Sequence, residues 1–511
     1  MENLNLIANK STDRIAEIFY GRTIFISGAT GFVGKALLEK LLRITQVKRI
    51  YVLIRNKKGK SANDRLQNLF TNVLFETVLS VKPSCTKKCT AINGDVNEVD
   101  LGISPAYRQT LINEVNFIFH CAASTRFDDS MRTAFVLNVR GTKYMLDLAE
   151  QCKHLMLFVH ISTAYAFHLE AKTLEKEYKS AINPHDILKD LNCLDGSFGK
   201  KDVSELSGDL IYLRRLLQKV PNSYTFSKSL AETLVYEKVG KIPIIICRPA
   251  IVIPSYEDPF PGWFNNLQGP MGLFVAAGKG VMRSIYMDCK TSANLCPIDS
   301  TVGSIMMFSW HYLTTKNSPY IFNLCVPQTD IRVTWEEILE AGKDVIKTKV
   351  PFNGILWYPG GTMTKNRLYD QFNFVCFQLI PALLIDFLLF LLGYKPLLYK
   401  VQMRIRKGGD MFEYFTTKNW SFETTNLETV REKLTDHERK SYMVKVEKID
   451  MKKYLTQCML ACRRNYLKET DDTLPAAKRN MKIMFCLDRI VKIGFFVFLA
   501  YYMFKIFKFL L

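Results

Sequence analysis

The sequence predicts an α/β protein. It is expected to be a Rossmann-type, doubly wound parallel sheet, with a smaller helix-rich C-terminal domain and a C-terminal membrane segment. Three observations carry this. The stretch Thr23–Gly34, TIFISGATGFVG, runs from a β-branched and aromatic strand through three glycines into a leucine-rich helical segment. Apolar strands then alternate with helical segments over residues 24–160. Near the end, Ile493–Phe504 (IGFFVFLAYYMF) is uninterruptedly apolar.

In the first stretch, Thr23, Ile24, Phe25 and Ile26 read as a buried parallel strand, and Lys35–Arg43 repeats its leucines at helical spacing. Gly28 makes the tight turn, Gly31 lets the backbone approach a pyrophosphate, and Gly34 lets helix and strand pack closely. Free N–H groups and the helix dipole then hold the phosphates. Thr30, Phe32 and Val33 lie within the same turn and join the expected cofactor contacts. The spacing is GxxGxxG, not GxGxxG, and taken alone it is also compatible with a plain loop.

Arg49–Arg55 (RIYVLIR) reads as a second strand, with Lys57 and Lys58 just beyond. An acid at its end grips the ribose 2′-hydroxyl of NAD, whereas the cation Arg55 suits the 2′-phosphate of NADP. A solvated basic loop is the alternative. Thr90–Asp95 is a third strand, placing Asp95 and Val96 near an adenine. Phe117–Ala123 is a fourth, whose small Ala122 lets a cofactor close. Leu155–Ser162 is a fifth, ending in Ser162 and Thr163, and Ile242–Pro249 is a sixth. Repetition of this kind puts ligands outside the carboxyl ends of the strands.

Tyr224–Lys228 (YTFSK) sits between the fifth and sixth strands. Four residues apart on a helix, Tyr224 and Lys228 share one face. A phenol of pKa roughly 10 is a sluggish proton donor, and a neighbouring ammonium is expected to bring that value down. The motif is weak alone and strong in this order of elements.

Composition sets outer bounds. A chain of 511 residues implies two or three domains. With 48% hydrophobic and 12% aromatic residues it belongs with packed proteins rather than disordered ones. The net charge of +20 points to nucleic acid, an anionic membrane surface or a polyanionic substrate. Nucleic acid is the weakest, since no RNP, zinc-finger or basic-zipper pattern is present. The 13 cysteines are scattered, and Cys85 and Cys89 lack a second ligand pair, so free thiols are expected and no metal. Residues 1–20 lack the pattern of a secretory signal, which makes the Asn-x-Ser matches at Asn9 and Asn419 chance.

Together, GATGFVG (28–34), FHCAASTRFDD (119–129), NVRGT (138–142), HISTAY (160–165), PNSYTFSKSLAE (221–232) and CRPAIV (247–252) resemble the extended short-chain dehydrogenase/reductases. More narrowly the chain resembles animal alcohol-forming fatty acyl-CoA reductases, through PFPGWFNNLQGP (259–270) and FTTKNWSF (415–422) as well. Ser223, Ala250 and Met451 depart from the usual pattern without removing a catalytic group. The resemblance implies reduction of long-chain acyl-CoA to a primary alcohol by two hydride transfers from NADPH, releasing coenzyme A. Tyr224 would donate the proton, Lys228 would tune it and hold the ribose, and Thr163 or Ser162 would bond the oxyanion. Pro249 would join the cofactor contacts. Lys279 and Arg283 are open between coenzyme A phosphates and a solvated loop. The rival readings are a membrane-bound steroid or sterol dehydrogenase and an idle NADP-binding membrane scaffold.

The expected boundaries are a reductase domain over 1–350, a membrane-proximal connector over 351–409, a helical domain over 410–475, and a basic linker with hydrophobic anchor over 476–511. Phe374–Leu392 is almost wholly apolar, but Pro381 and Asp386 interrupt it, so a buried or membrane-resting helix beside the acyl entrance is expected rather than a span. The basic YKVQMRIRK (399–407) follows, suited to anionic headgroups. The final run spans once, forms a shallow hairpin, lies at the interface, or is a buried soluble helix. The expected partners are long-chain acyl-CoA and the lipid bilayer. The catalytic domain would face the cytosol on the endoplasmic reticulum, with the peroxisome as the alternative.

Overall fold

In the computed structural model, the described residues are 13–127, 129–167, 172–180, 182–197, 222–267, 269–325, 333–444 and 449–510. Asn9, Asp128, Pro221, Gln268 and Leu511, all within the stretches read above, lie outside them. The chain divides into two compact units. The first comprises Met1–Asn265, Asn294–Arg332 and Trp420–Lys448, and the second comprises Asn266–Ala293, Val333–Asn419 and Ile449–Leu511.

The first unit is built on a seven-stranded sheet. Its elements are β1 (Thr23–Ser27), α1 (Phe32–Ile44), β2 (Arg49–Ile54), β3 (Cys89–Asn93), β4 (Phe117–His120), β5 (Leu157–Ile161), α2 (Ser223–Tyr236), β6 (Ile244–Pro249), α3 (Ile298–Thr314) and β7 (Ile321–Leu324). The strand order is β7-β6-β5-β4-β1-β2-β3, and every neighbouring pair is parallel. The order reverses between β1 and β4, the point at which doubly wound sheets bind their ligands. Alternation within each strand feeds two apolar layers. Ile24 and Ile26 of β1 enter one with Phe117 and Phe119, while Phe25 enters the other with Ile118 and Phe158. Both faces are therefore covered, which is why these strands read as continuous apolar runs.

The expected boundary at 350 is not where the chain changes unit. Residues 420–444 fold with the first unit: Ser421–Phe422 pairs with Lys172–Thr173 in a small separate sheet, and Tyr165 packs edge-on against Trp420 and Phe422 at 5.3 and 5.2 Å. Arg14 pairs with Glu438 at 2.6 Å. The carbonyl of Tyr442 approaches Gly303 of α3 so closely that no other residue fits there.

In the second unit, α4 (Arg367–Phe374) and α5 (Ile380–Leu391) are joined by a wide helical turn, Val375–Leu379. The helix α6 (Leu398–Thr416) follows, and α7 (Leu474–Leu510) closes the chain. Lys478, Arg479 and Lys482 were expected in a linker and instead lie within α7. Ala477 and Met481 are buried beside them, and Asp488 accepts from the Trp357 indole at 2.7 Å, so this part is packed rather than extended.

Candidate active site

The glycine turn is tight enough to exclude side chains. Gly28 has φ +75°, and a Cβ there would meet the Ala122 backbone at 2.5 Å; one on Gly34 would meet the Gly28 carbonyl at 2.5 Å. β1 and β4 thus leave the sheet in contact, with Ala122 laid against Gly28. Gly31 caps α1 with backbone alone, so no side chain occupies the first N–H groups of the helix. Phe32 turns aside onto Trp263 at 5.3 Å, and Thr30 and Val33 are partly exposed beside the turn. A cradle lined by uncapped N–H groups fits a pyrophosphate.

At the ends of β2 and β3, Arg55 pairs with Asp95 at 3.1 Å, and Arg65 donates to the Arg55 carbonyl. Arg55 stays about half exposed. Two guanidinium groups therefore stand here, of which the sequence reading named one. The side chain of Val96 is buried against Gly141.

The expected catalytic residues converge on α2. Asn222 caps it by accepting from Thr225 N at 2.9 Å. Asn138 fastens it by donating to Ser227 Oγ at 2.8 Å while bonding both backbone groups of Ser124. Burial pushes the Tyr224 phenol up to about 12, opposed by a hydrogen bond with the Thr163 hydroxyl. The expected pull from Lys228 is not what opposes it: the ammonium is turned to the Ile161 carbonyl at 2.6 Å. Burial brings Lys228 itself down to about 8. Pro249 ends β6 beside this pair, its carbonyl 3.4 Å from Thr163 Oγ1.

Ser162 goes elsewhere. Its hydroxyl donates to Glu232, which also receives the Tyr236 hydroxyl and Arg248 Nε, the latter at 2.8 Å. Arg248 is fully buried and reaches on to the Leu174 and Lys176 carbonyls at 3.0 and 2.9 Å. Of the two candidate hydroxyls Ser162 is committed to Glu232, which leaves Thr163 as the one that acts on the Tyr224 phenol. Glu232 and Arg248 were missed by the sequence reading, yet Tyr224, Lys228, Glu232 and Tyr236 recur every fourth residue, and that period was the available signal. Behind them His120 bonds Ser27 at 2.7 Å and Thr142 at 3.0 Å. Burial first, and the Lys228 charge second, bring it down to about 3.

Lys279 and Arg283 are held within the second unit. Lys279 bonds the Asn353 carbonyl at 2.8 Å and Glu469 at 3.1 Å, and Arg283 bonds the Tyr358 carbonyl at 2.9 Å. Among the described residues no group of His, Cys, Asp and Glu is arranged to hold a metal.

A parallel sheet with this switch point, a glycine cradle at the start of α1 and a buried Tyr–Lys helix together define a nicotinamide-dinucleotide reductase of the Rossmann type. Family models described as male sterility protein match residues 26–305, as an NAD-binding domain, and 377–469. The chain is 32% identical to fatty acyl-CoA reductase wat of Drosophila melanogaster, covering 93% of this chain and 90% of that protein. It is 33% identical to fatty acyl-CoA reductase 2 of Bos taurus, covering 92% and 89%. Against fatty acyl-CoA reductase 1 of Homo sapiens the identity is 31%, covering 96% and 93%. The chain belongs to the fatty acyl-CoA reductase family. Among solved structures, the terminal R domain of the myxalamid PKS-NRPS pathway aligns with a TM-score of 0.56 at 19% identity, over 88% of this chain and 93% of that one. The reductase domain of a nonribosomal peptide synthetase from Mycobacterium tuberculosis gives 0.56 at 16%, over 91% and 98%. At such identity these two establish the fold alone.

Proposed function

We propose that this chain reduces long-chain fatty acyl-CoA to the primary alcohol, using NADPH and releasing coenzyme A. The observation that carries the reading is Tyr224 and Lys228 one helical turn apart on α2, with Thr163 beside the phenol, in a chain of the fatty acyl-CoA reductase family. The nicotinamide supplies hydride when bound, once to the thioester and once to the aldehyde that follows. Gly28, Gly31 and Gly34 would hold its pyrophosphate, with Ala122 and Pro249 alongside. A phenol held near 12 is protonated at neutral pH, and an alkoxide forming beside it is the stronger base, so Tyr224 gives up its proton to the substrate. With substrate bound, the Thr163 hydroxyl turns its one proton to the oxyanion as a second donor beside Tyr224. The Lys228 ammonium supplies positive charge to the ribose side.

Intact Tyr224 and Lys228 weigh against an idle scaffold, and relatives named for fatty acyl-CoA weigh against a sterol substrate. Expression in yeast with mass spectrometry of the lipids tests the reading: long-chain fatty alcohol is expected. In Tyr224→Phe it should fall by about 10²–10⁴, the usual worth of a positioned general acid. Undiminished alcohol in that variant would remove Tyr224 from the mechanism.

The choice of NADPH rests on Arg55 and Arg65 at the end of β2. Arg55→Ala should weaken NADPH by about 10-fold or more, the worth of a charge-assisted hydrogen bond, and leave NADH nearly unchanged. Titration of both cofactors by protein fluorescence decides it, and equal losses would assign Arg55 to the fold. A bilayer suits the greasy substrate, and the apolar second half of α7 supports a tail anchor, with Ile493, Phe496, Phe498 and Phe504 all exposed.

A further inference from the structure

The helical stretch Arg367–Leu391 is built inside out. Its buried residues are Asp370, Asn373, Gln378, Ala382 and Asp386, four of them polar, while most of its leucines and phenylalanines face outward. The inward groups are fastened within their unit. Asp370 pairs with Arg406 and accepts from Ser284, and Gln378 accepts from Arg283 N at 3.0 Å. Asp386 accepts three backbone N–H groups, from Leu397 and Leu398 at 2.9 Å and from Tyr399 at 2.8 Å. These are the open donors at the start of α6, so a carboxylate on one helix caps the next and closes a hairpin. Gly393, at φ +81°, turns the chain between them.

Around that turn Phe387, Leu388, Phe390, Leu391, Leu392 and Tyr394 are each 56–72% exposed. An apolar patch of this kind facing water calls for a partner. The partner's chemistry follows from the rim. Lys395, Lys400, Arg404 and Lys407 are exposed beside the patch, and the one acid between residues 380 and 407 is Asp386, already engaged in the cap.

We propose that this hairpin is a monotopic membrane contact. The outward face of α4–α5 and the turn enter one leaflet of a bilayer bearing anionic headgroups, and the chain re-emerges on the same side. The 25 residues of Arg367–Leu391 are long enough to span. Spanning, however, would carry Asp370, Gln378 and Asp386 into hydrocarbon together with Arg406, and would drag the cations of α6 after them. Lying in the interface leaves every one of these groups with its present partner, sets the apolar face among acyl chains, and puts the rim cations at headgroup level. The contact is separate from the α7 tail and does not depend on the substrate assigned above.

The test uses the full chain in sealed liposomes of phosphatidylcholine with or without phosphatidylserine, catalytic unit outward. The photoreactive analogue benzoylphenylalanine replaces Phe387 or Phe390 and, as a control, the exposed Tyr107. An azide-bearing residue replaces Lys395 for reaction with a membrane-impermeant dye. Phospholipid adducts severalfold above the Tyr107 control are expected at both phenylalanines, and residue 395 should react without permeabilisation. Adduct yield should also fall severalfold when phosphatidylserine is omitted, or when Lys395, Lys400, Arg404 and Lys407 are all changed to Gln. Labelling of residue 395 only after permeabilisation would overturn the proposal in favour of a span. Crosslinks to a second copy of the chain in place of lipid would make the face a protein interface. Equal yields in neutral and anionic vesicles would overturn the anionic surface.

Discussion

Along α2, Tyr224, Lys228, Glu232 and Tyr236 follow one another on one face, Lys228 and Glu232 buried and the two tyrosines half-buried; along α4–α5, Asp370, Asn373, Gln378 and Asp386 form a comparable buried stripe. The two helices part company on their other faces. Phe226, Leu230 and Leu234 of α2 enter an apolar core layer, so the apolar face of α2 is covered as well. Leu384, Phe387 and Leu391 have no such layer and stay exposed. Burial takes water away from Lys228 and Glu232, which costs stability and shifts proton affinities along this face. On α4–α5 the polar groups act as fasteners, and holding them inward frees the apolar face for another phase. The two helices are told apart by which face is covered.

The comparison breaks most visibly at Glu232. Changing it to Leu leaves the Arg248 guanidinium buried without its partner, and unfolding by denaturant should lose about 3–5 kcal/mol. Replacing both, Glu232→Leu with Arg248→Met, should return most of that loss, because the isolated charge and not the missing pair carries the cost. If the double variant is no better than the single one, packing rather than charge governs this part of the first unit.

Lys228 sharpens the same point through pH. Its folded value of about 8 lies below the roughly 10.4 of an unfolded lysine, so between these values the folded state binds fewer protons and stability rises with pH. Below about 8 the penalty for the buried charge is fully present. Lys228→Met should therefore melt higher than the parent at pH 7, with the gap closing towards pH 10, while turnover drops. For the parent enzyme kcat/KM should decline above about pH 8 as the ammonium is lost. A flat profile to pH 10 would show that its charge is not used.

The smallest effect is expected on the other helix. Asp386→Asn keeps one acceptor oxygen but loses the charge, which should cost about 1 kcal/mol at the start of α6. Hydrogen exchange of the Leu397–Tyr399 amides reads this directly. Unchanged protection there would mean the hairpin is closed by its packing and not by the carboxylate.

Much of the sheet was legible because both of its faces are covered. Six apolar runs gave six strands, each within two or three residues of its observed ends, and the glycine spacing placed the turn before α1. That Tyr224 and Lys228 share one helical face was legible because a helix repeats its face every fourth residue. Residues far apart in the chain left no such trace. Glu232 and Arg248 meet across 16 residues and two elements, and Lys279 is tied to Glu469 across 190. The inward stripe of α4–α5 was hidden for another reason. The wide turn at Val375–Leu379 adds a residue, so its members are spaced three, five, four and four apart and fall out of helical period. Residues 420–444 join the first unit through a two-residue strand, paired with Lys172–Thr173 apart from the main sheet, and through short polar helices, signals too brief to assign.

The partnership of Arg14 with Glu438 sets a schedule for synthesis. The two are 424 residues apart, so at roughly 5–20 residues per second the ribosome needs about 20–85 s after making the first to supply the second. During that interval the nascent sheet unit lacks the segment that carries Val430, Leu434 and Tyr442, and the apolar layer they complete is open to other chains. A unit whose last piece is encoded this late depends on chaperones while it waits, and a premature stop upstream of residue 420 would free a product unable to close its own core.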